Sequence, residues 1–266
     1  MRPQESFVKE FSRAAQTVLF MKAISAIKKK MTVKTKSAGV PELMHRLRTA
    51  MKVGANRRMN ANKAREAALD PSAFSESGYI EDQSALKSVR YGCTDLAWAG
   101  CGIAAAYNAL VALREIENAK RSEAGQKLLK GRISLSKLVR AFEKHGAVFF
   151  GMLGTDPASI AAFFKRDGFK TEASAVEERV GRIAASHDVL IITYMHDCDD
   201  ITRQVHTVTA VRETDGSGKR IFRVHNSQGS GHPSISGDTL GLFAENAGER
   251  AKIVYVCGIT GWPVKR

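Results

Sequence analysis

The 266-residue sequence has few cysteines, few prolines and no long apolar run. Four scattered cysteines are too few for the disulfide framework of a small secreted domain, so each is interpreted as buried, metal-binding or nucleophilic. No stretch approaches the roughly 20 apolar residues of a membrane-spanning helix. The sequence also lacks a phosphate-binding loop and a dinucleotide-binding glycine pattern. We therefore expect a globular protein that is neither a disulfide scaffold nor an integral membrane protein.

The basic charge is concentrated at the N-terminus. The first 65 residues hold 16 of the 41 Lys and Arg residues but only three of the 27 Asp and Glu residues, and so carry most of the net charge of +14. Between Ser6 and Met31, apolar residues recur mainly three, four or seven positions apart, which predicts an amphipathic helix. We interpret residues 1–71 as a basic helical arm or pro-segment. Residues 1–65 are suited to an anionic membrane surface or to nucleic acid.

No secretory signal pattern is present, because the lysines follow the apolar run and no small-residue cleavage site comes after it. We expect a cytoplasmic location, with export by a signal-independent route left open.

A turn-rich segment, residues 70–78, marks the start of a domain that we assign to residues 72–266. Helical spacing follows over Gly102–Asn118, Leu135–Phe142, Ser159–Arg166 and residues 175–185. Short β-rich runs come next, at Val189–Met195, Val205–Arg212, Arg220–Asn226 and Ala251–Ile259, with a hairpin turn at 213–219. Helices followed by strands favour an α+β fold with a mainly antiparallel sheet.

The segment Gly100-Cys101-Gly102 sets a cysteine at the start of a predicted helix. The unpaired N–H groups and the dipole of a helix N-terminus favour a thiolate, and the glycines allow a substrate carbonyl to approach closely. Cys101 is therefore a candidate nucleophile. The alternative is a small buried cysteine with a structural role.

Two later strands carry the groups that a nucleophilic cysteine requires. His206 begins one strand, where it can accept the thiol proton, and Asn226 ends the next, where it can orient the imidazole ring. A hairpin places these two ends side by side. His206 can instead be a structural strand histidine, Asn226 a turn residue, and His225 or His232 the relevant histidine.

Three segments together resemble the papain-like cysteine peptidases, and within them the bacterial double-glycine leader peptidases of bacteriocin exporters and their stand-alone relatives. They are GCGIAAAYNAL, HTVTAV followed by VHNSQGSG, and FFGMLGTDPASIAAFFKRDGF. The resemblance covers roughly residues 90–260. It implies a papain-like fold and a peptide or protein substrate, with Cys101 as nucleophile, His206 as general base and acid, and Asn226 fixing the tautomer. It implies no cofactor and no metal.

The sequence departs from that family at one position. These peptidases place a glutamine about six residues before the cysteine to donate to the oxyanion, and here that position is Asp95. An ionised carboxylate repels an oxyanion. The expected alternatives are a hole built from the Cys101 N–H and a donor such as Thr94, a protonated Asp95, or impaired catalysis. Gln83 lies 18 residues before Cys101 and reaches the site only through an unusual loop.

Other functions remain open at the level of sequence. The same triad can transfer an acyl group to an amine instead of to water. The basic arm can make the chain a non-catalytic module on a membrane or on nucleic acid, or it can cover the cleft as an inhibitory segment. The cluster at residues 196–200, HDCDD, offers metal ligands but lacks the second ligand pair of a structural zinc site.

Overall fold

The computed structural model describes residues 69–92, 94–131, 133–144, 154–195, 205–227, 234–236 and 251–263. The basic arm up to residue 68 lies outside these ranges, as do the acidic cluster at 196–200 and His232. The predictions of an amphipathic arm helix, of membrane or nucleic-acid binding and of the boundary at residue 72 therefore stay predictions.

The four helices predicted after residue 100 are all present, with changes of up to five residues at their ends. The helices are α1 (Leu96–Ala99), α2 (Cys101–Glu123), α3 (Leu135–Lys144), α4 (Pro157–Arg166) and α5 (Glu177–Ser186). Helix α4 begins as its sequence predicts, with Pro157 in the first turn and the Asp156 carboxylate accepting the Ala158 N–H at 3.2 Å. None of the helices in the described ranges combines the length and the apolar character required to cross a membrane.

The strands build a sheet in which every described pair is antiparallel. Strands β1 (Arg90–Tyr91) and β2 (Thr94–Asp95) form a small separate hairpin, while β3 (Lys170–Ser174), β4 (Val189–Met195), β5 (Val205–Thr214), β6 (Arg220–His225), β7 (Ser234–Ser236) and β8 (Lys252–Thr260) form the main sheet in the order β3-β8-β4-β5-β6-β7. The α+β class and the antiparallel sheet are confirmed. Strands β3 and β7, at the two edges of this sheet, are additional to the prediction.

Strand alternation divides the core between the two faces of the sheet. Val189, Ile191 and Val211 pack with the apolar side of α2, whereas Leu190 and Val208 pack with α5 on the opposite face. One bond fastens α2 to its face: the Thr209 hydroxyl on β5 donates to the Ala105 carbonyl at 2.7 Å. The N-terminal half of α2 thereby lies directly over the first half of β5.

The two glycines around Cys101 are required by close packing within the protein. A Cβ at Gly102 would lie 2.6 Å from the Cβ of Thr155, and one at Gly100 would overlap the Leu96 carbonyl oxygen. Packing within the protein therefore accounts for both glycines without a substrate. Gly102 lets α2 pack tightly against the residues that precede α4.

We expect Gly102→Ala to lower the free energy of unfolding by about 1–3 kcal/mol, because the new methyl group overpacks the contact with Thr155. Gly181→Ala is the matched control, since a Cβ there meets no atom within 4 Å. That control is expected to gain about 0.5 kcal/mol from helix propensity. Urea unfolding of both variants measures the difference, and equal effects at the two sites would contradict the tight contact.

Candidate active site

The thiol of Cys101 lies at the start of α2, between the helix and strand β5. Cys101 is the first residue of α2, and Gly100 before it provides no side-chain cap. The N–H and the hydroxyl of Thr207 bind the sulfur from β5, and the Cys101 and Gly102 N–H groups bind it from the helix. The residue is half-buried. Sequence analysis therefore places the cysteine correctly at a helix N-terminus, where N–H groups surround the sulfur.

Burial, rather than the helix terminus, determines the charge of this thiol. Loss of solvent raises the pKa of Cys101, and the hydrogen bonds from Thr207 and from the first turn of α2 lower it by less. The N–H groups of the helix start do favour the thiolate, but burial outweighs them and the pKa of Cys101 is raised overall. Near neutral pH, Cys101 carries its proton.

His206 is buried, and its orientation is fixed by one strong bond. Its Nε2 lies 2.7 Å from the backbone oxygen of Asn226. A carbonyl oxygen only accepts, so Nε2 carries the proton and the lone pair of the neutral ring is on Nδ1. Burial lowers the pKa of His206 more than the bond to the Asn226 carbonyl raises it. The imidazole is therefore held neutral, in the tautomer that a base acting through Nδ1 requires.

Asn226 orients the ring through its backbone rather than its side chain. The side-chain amide is bound to Gln83, with Nδ2 donating to Gln83 Oε1 at 2.8 Å and Oδ1 accepting the Gln83 N–H at 3.1 Å. Asn226 has a φ of 61°, in the left-handed region that asparagine tolerates better than most residues. The structure thus brings His206 and Asn226 together, but by a contact that the sequence analysis did not predict.

The His206 ring lies at a gap between β5 and β6. The pairing of these strands ends at Thr209 and His225, so the first residues of β5 lie beyond the ladder. The His206 ring spans this gap to Asn226. The next residue, Thr207, lowers the pKa of the Cys101 thiol through its N–H and its hydroxyl, so the sulfur lies close to this end of β5.

The side chains of β5 nevertheless alternate across the sheet. Thr207 faces α2 and contacts the Thr193 hydroxyl, with the two oxygens 3.1 Å apart. His206 shares the opposite face with Tyr194, whose ring it meets edge-on with centroids 5.8 Å apart. The side chains of His206 and Thr207 therefore lie on opposite faces of the sheet.

The two predicted oxyanion residues, Thr94 and Asp95, both lie on β2. The Thr94 hydroxyl donates to the Tyr91 carbonyl at 3.3 Å. Asp95 caps α1 by accepting the Trp98 N–H at 3.1 Å, and its other oxygen lies 3.9 Å from the Arg90 guanidinium. Both carboxylate oxygens therefore face donors within this hairpin and helix. The structure gives Asp95 a role as a helix cap.

His225, the alternative histidine, lies in a separate polar cluster. Its Nδ1 is 2.7 Å from Glu81 Oε1, and the Tyr79 ring stacks on it at 3.8 Å. The tyrosine hydroxyl donates in turn to Glu115 at 2.6 Å. The His225 ring is almost fully buried, and its Nε2 has no hydrogen-bond partner within the described part of the chain. His225 therefore contacts Glu81 and Tyr79, whereas the carbonyl of Asn226 binds His206.

The contacts of Thr207 and Glu81 at this site were not predicted from the sequence, and Gln83 was considered only as an oxyanion donor that needs an unusual loop. Thr207, which binds the thiol, is recognisable in retrospect as the neighbour of His206 on the α2 face of its strand. Glu81 and Gln83 contact the end of β6 from more than 140 positions away, a distance at which no local pattern operates. Within the described ranges, no group of three His, Cys, Asp or Glu residues is arranged to hold a metal ion.

Comparison with known proteins assigns no relationship. No protein-family model matches the chain, and no curated protein matches it. What the site does is therefore argued from its own geometry.

We expect alkylation of Cys101 by iodoacetamide to follow a pH curve whose midpoint lies above the usual thiol range, because burial raises this pKa. Thr207→Val removes the hydroxyl that stabilises the thiolate, and is expected to move the midpoint up by about one further pH unit. Mass-spectrometric mapping separates Cys101 from the other cysteines, including Cys257, whose burial raises its pKa to about 12.

Thr193→Val is the control for this experiment, because Thr193 touches the Thr207 hydroxyl but is not among the donors to the sulfur. Its midpoint is expected to move by less than that of Thr207→Val. A wild-type midpoint well below the usual thiol range would overturn the neutral thiol.

Proposed function

We propose that the chain is a cysteine peptidase of the papain-like type, cleaving peptide bonds through a thioester on Cys101. The observation that carries this proposal is the 2.7 Å bond from His206 Nε2 to the Asn226 carbonyl. It leaves the basic Nδ1 on a neutral ring, one residue before Thr207, whose N–H and hydroxyl lower the pKa of the Cys101 thiol. A cysteine, a histidine of defined tautomer and an orienting group are the parts of a nucleophilic triad.

In the first half-reaction His206 Nδ1 takes the proton from the Cys101 sulfur as the sulfur attacks the peptide carbonyl carbon. The tetrahedral intermediate collapses when the imidazolium returns this proton to the leaving amine and the C–N bond breaks. The amine product departs, and the acyl group remains on sulfur as a thioester.

The helix start supplies the donors for the oxyanion in this proposal. Gly100 provides no side-chain cap, and the N–H groups of Cys101 and Gly102 already point toward the sulfur. A carbonyl carbon bonded to that sulfur brings its oxygen within reach of the same turn. This arrangement dispenses with the glutamine that the family uses where this chain has Asp95.

In the second half-reaction water replaces the amine. His206 Nδ1 removes a proton from the water, the hydroxide adds to the thioester carbonyl, and the Cys101 sulfur leaves as it regains the proton. The acyl product is released as a free acid. The resting pair is neutral on both sides, because burial raises the pKa of the thiol and lowers that of the imidazole.

Two exposed apolar side chains flank the site and suit an extended peptide. Trp98, on α1, is 75% exposed and lies three residues before Cys101, while Val205 is 36% exposed and precedes His206. Exposed aromatic side chains beside a cleft are common contacts for peptide substrates. The resemblance to leader peptidases adds a preference for small residues, such as glycine, beside the cleaved bond.

Acyl transfer to an amine uses the same thioester and is tested in the same experiment. The non-catalytic alternative depends on residues 1–65, which carry the basic charge and precede the described residues.

A pool of synthetic peptides, some with adjacent glycines, tests the proposal when it is incubated with the protein in ¹⁸O-labelled water. We expect new carboxyl termini that carry ¹⁸O. Cys101→Ala is expected to lose about 10³-fold or more of the rate, and His206→Ala about 10²–10⁴-fold. Cys257→Ser removes a different buried thiol and is expected to retain cleavage where it folds, as circular dichroism checks.

Capture of an added amine in place of ¹⁸O would make the protein a transferase. Absence of any cleavage, or cleavage that survives in Cys101→Ala, would contradict the peptidase.

The pH dependence of cleavage follows from the histidine. The base must be unprotonated, so the rate falls as the pH drops through the pKa of His206, which burial lowers. We expect the acid limb of kcat/KM to have its midpoint below the ordinary histidine value of about 6.5. A midpoint above that value would show that the ring is not desolvated as the structure indicates.

A further inference from the structure

Gln83 connects the two halves of the candidate site. On one side its Oε1 accepts from Asn226 Nδ2 at 2.8 Å, and its backbone N–H donates to Asn226 Oδ1 at 3.1 Å. On the other side its Nε2 lies 3.3 Å from the Ala97 carbonyl and 3.4 Å from that of Leu96. These carbonyls belong to α1, which leads into Gly100 and Cys101. The side chain of Gln83 therefore connects α1, the helix before Cys101, to Asn226, the residue that binds His206.

Glu81 reinforces this connection two residues earlier. Its Oε2 accepts the backbone N–H of Asn226 at 3.2 Å, while Oε1 contacts Nδ1 of His225 at 2.7 Å. The segment from Glu81 to Gln83 thus bonds to the backbone N–H and to both polar atoms of the side chain of Asn226. The remaining polar group, the carbonyl oxygen, is the one that faces His206.

The direction of the Asn226 carbonyl depends on contacts outside the sheet. Asn226 adopts a φ of 61°, a conformation of limited stability for any residue except glycine. It follows the last residue of β6, so the ladder to β5 does not hold it. The bonds from Glu81 and Gln83 supply the restraint that the sheet does not.

We propose that Gln83 is a positioning residue for the reaction. Its hydrogen bonds to the side-chain amide of Asn226, which we call the clasp, hold the Asn226 carbonyl in the direction of His206. This inference rests on the proposed function for its catalytic consequence. Gln83 touches no reacting atom in this role. It acts through Asn226 on the tautomer and orientation of the imidazole.

Gln83→Met tests the clasp, because methionine keeps the length of the side chain and removes the side-chain hydrogen bonds, while the backbone N–H bond to Asn226 Oδ1 is retained. Gln126→Met, at an exposed position after α2, is the matched control. The first readout is ¹⁵N NMR of the imidazole of His206, which reports the tautomer without any substrate. We expect Gln83→Met to lose the strong preference for the Nε2–H form, and Gln126→Met to keep it.

The kinetic readout uses the peptide that the pool identifies. We expect Gln83→Met to reduce kcat about tenfold with little change in KM, because the clasp positions the base and does not bind substrate. The acid limb is expected to move to lower pH, since the Asn226 carbonyl bond favours the protonated ring. A melting temperature for each variant shows whether the fold is kept.

Asn226→Gly makes the test independent of a loss of packing at Gln83. Glycine accepts the backbone conformation of Asn226 but has no amide to clasp. If Gln83 acts through that amide, Gln83→Met adds little to the tautomer change or to the loss of kcat in the Asn226→Gly background. Full additivity of the two substitutions would overturn the clasp.

The outcomes separate this inference from the peptidase proposal. A wild-type protein that cleaves peptides, together with a Gln83→Met variant of unchanged tautomer and kcat, would overturn the positioning role and leave the peptidase standing. A tautomer change in Gln83→Met, in a protein that cleaves no peptide, would support the clasp and contradict the peptidase.

Discussion

The attachment of the first turns of α2 to strand β5 is the constraint on which the site depends. Thr209 binds the Ala105 carbonyl at 2.7 Å, and Thr207 binds the sulfur of Cys101 one turn earlier. The helix can come this close because its contact face is made of small residues, with Ala105 and Ala109 fully buried. The register of helix and strand then decides which residues of β5 lie beside the sulfur, namely those before Thr209, where β6 no longer pairs with β5. A shift of one residue along β5 would present the opposite face of the strand to the helix.

Close packing also determines the electrostatics of the site. The same burial that fixes the sulfur and the ring removes them from water, which raises the pKa of Cys101 and lowers that of His206. Both effects disfavour a resting thiolate–imidazolium pair. In the proposed reaction the proton is transferred only when a substrate carbonyl is present to receive the sulfur electrons, and the N–H groups of Cys101 and Gly102 then stabilise the charge that moves to oxygen. In this proposal the thiol and the imidazole are neutral at rest, so the N–H groups at the start of α2 stabilise charge in the transition state and not in the resting protein.

The sequence predicted the elements well because their signals are local. Strand β4 was predicted with its observed ends, Val189 and Met195, and the Asp156-Pro157 start of α4 follows from capping chemistry alone. The edge strands were missed because an edge strand needs no continuous apolar run: four of the five residues of β3 are exposed or half-buried. At the site, the sequence placed Cys101 at the start of a helix and His206 on a strand, as observed, whereas Asn226 lies one residue beyond the end of β6 instead of within it. The bond between Gln83 and Asn226 was not predicted, because the two residues are 143 positions apart and meet only in the tertiary fold.

The contact between His206 and Asn226 shows why residue-by-residue transfer from a family has limits. A motif records side chains, and it assigned to Asn226 the task of orienting the ring with its amide. Here a backbone carbonyl does so, and the amide serves Gln83 instead. Position 226 therefore needs a residue that tolerates a φ of 61° and has a side-chain amide to bind Gln83. Asparagine has both properties. The same applies to Asp95, which stands at the position of a family donor but caps α1. In both cases the constraint on the residue comes from the backbone that it stabilises.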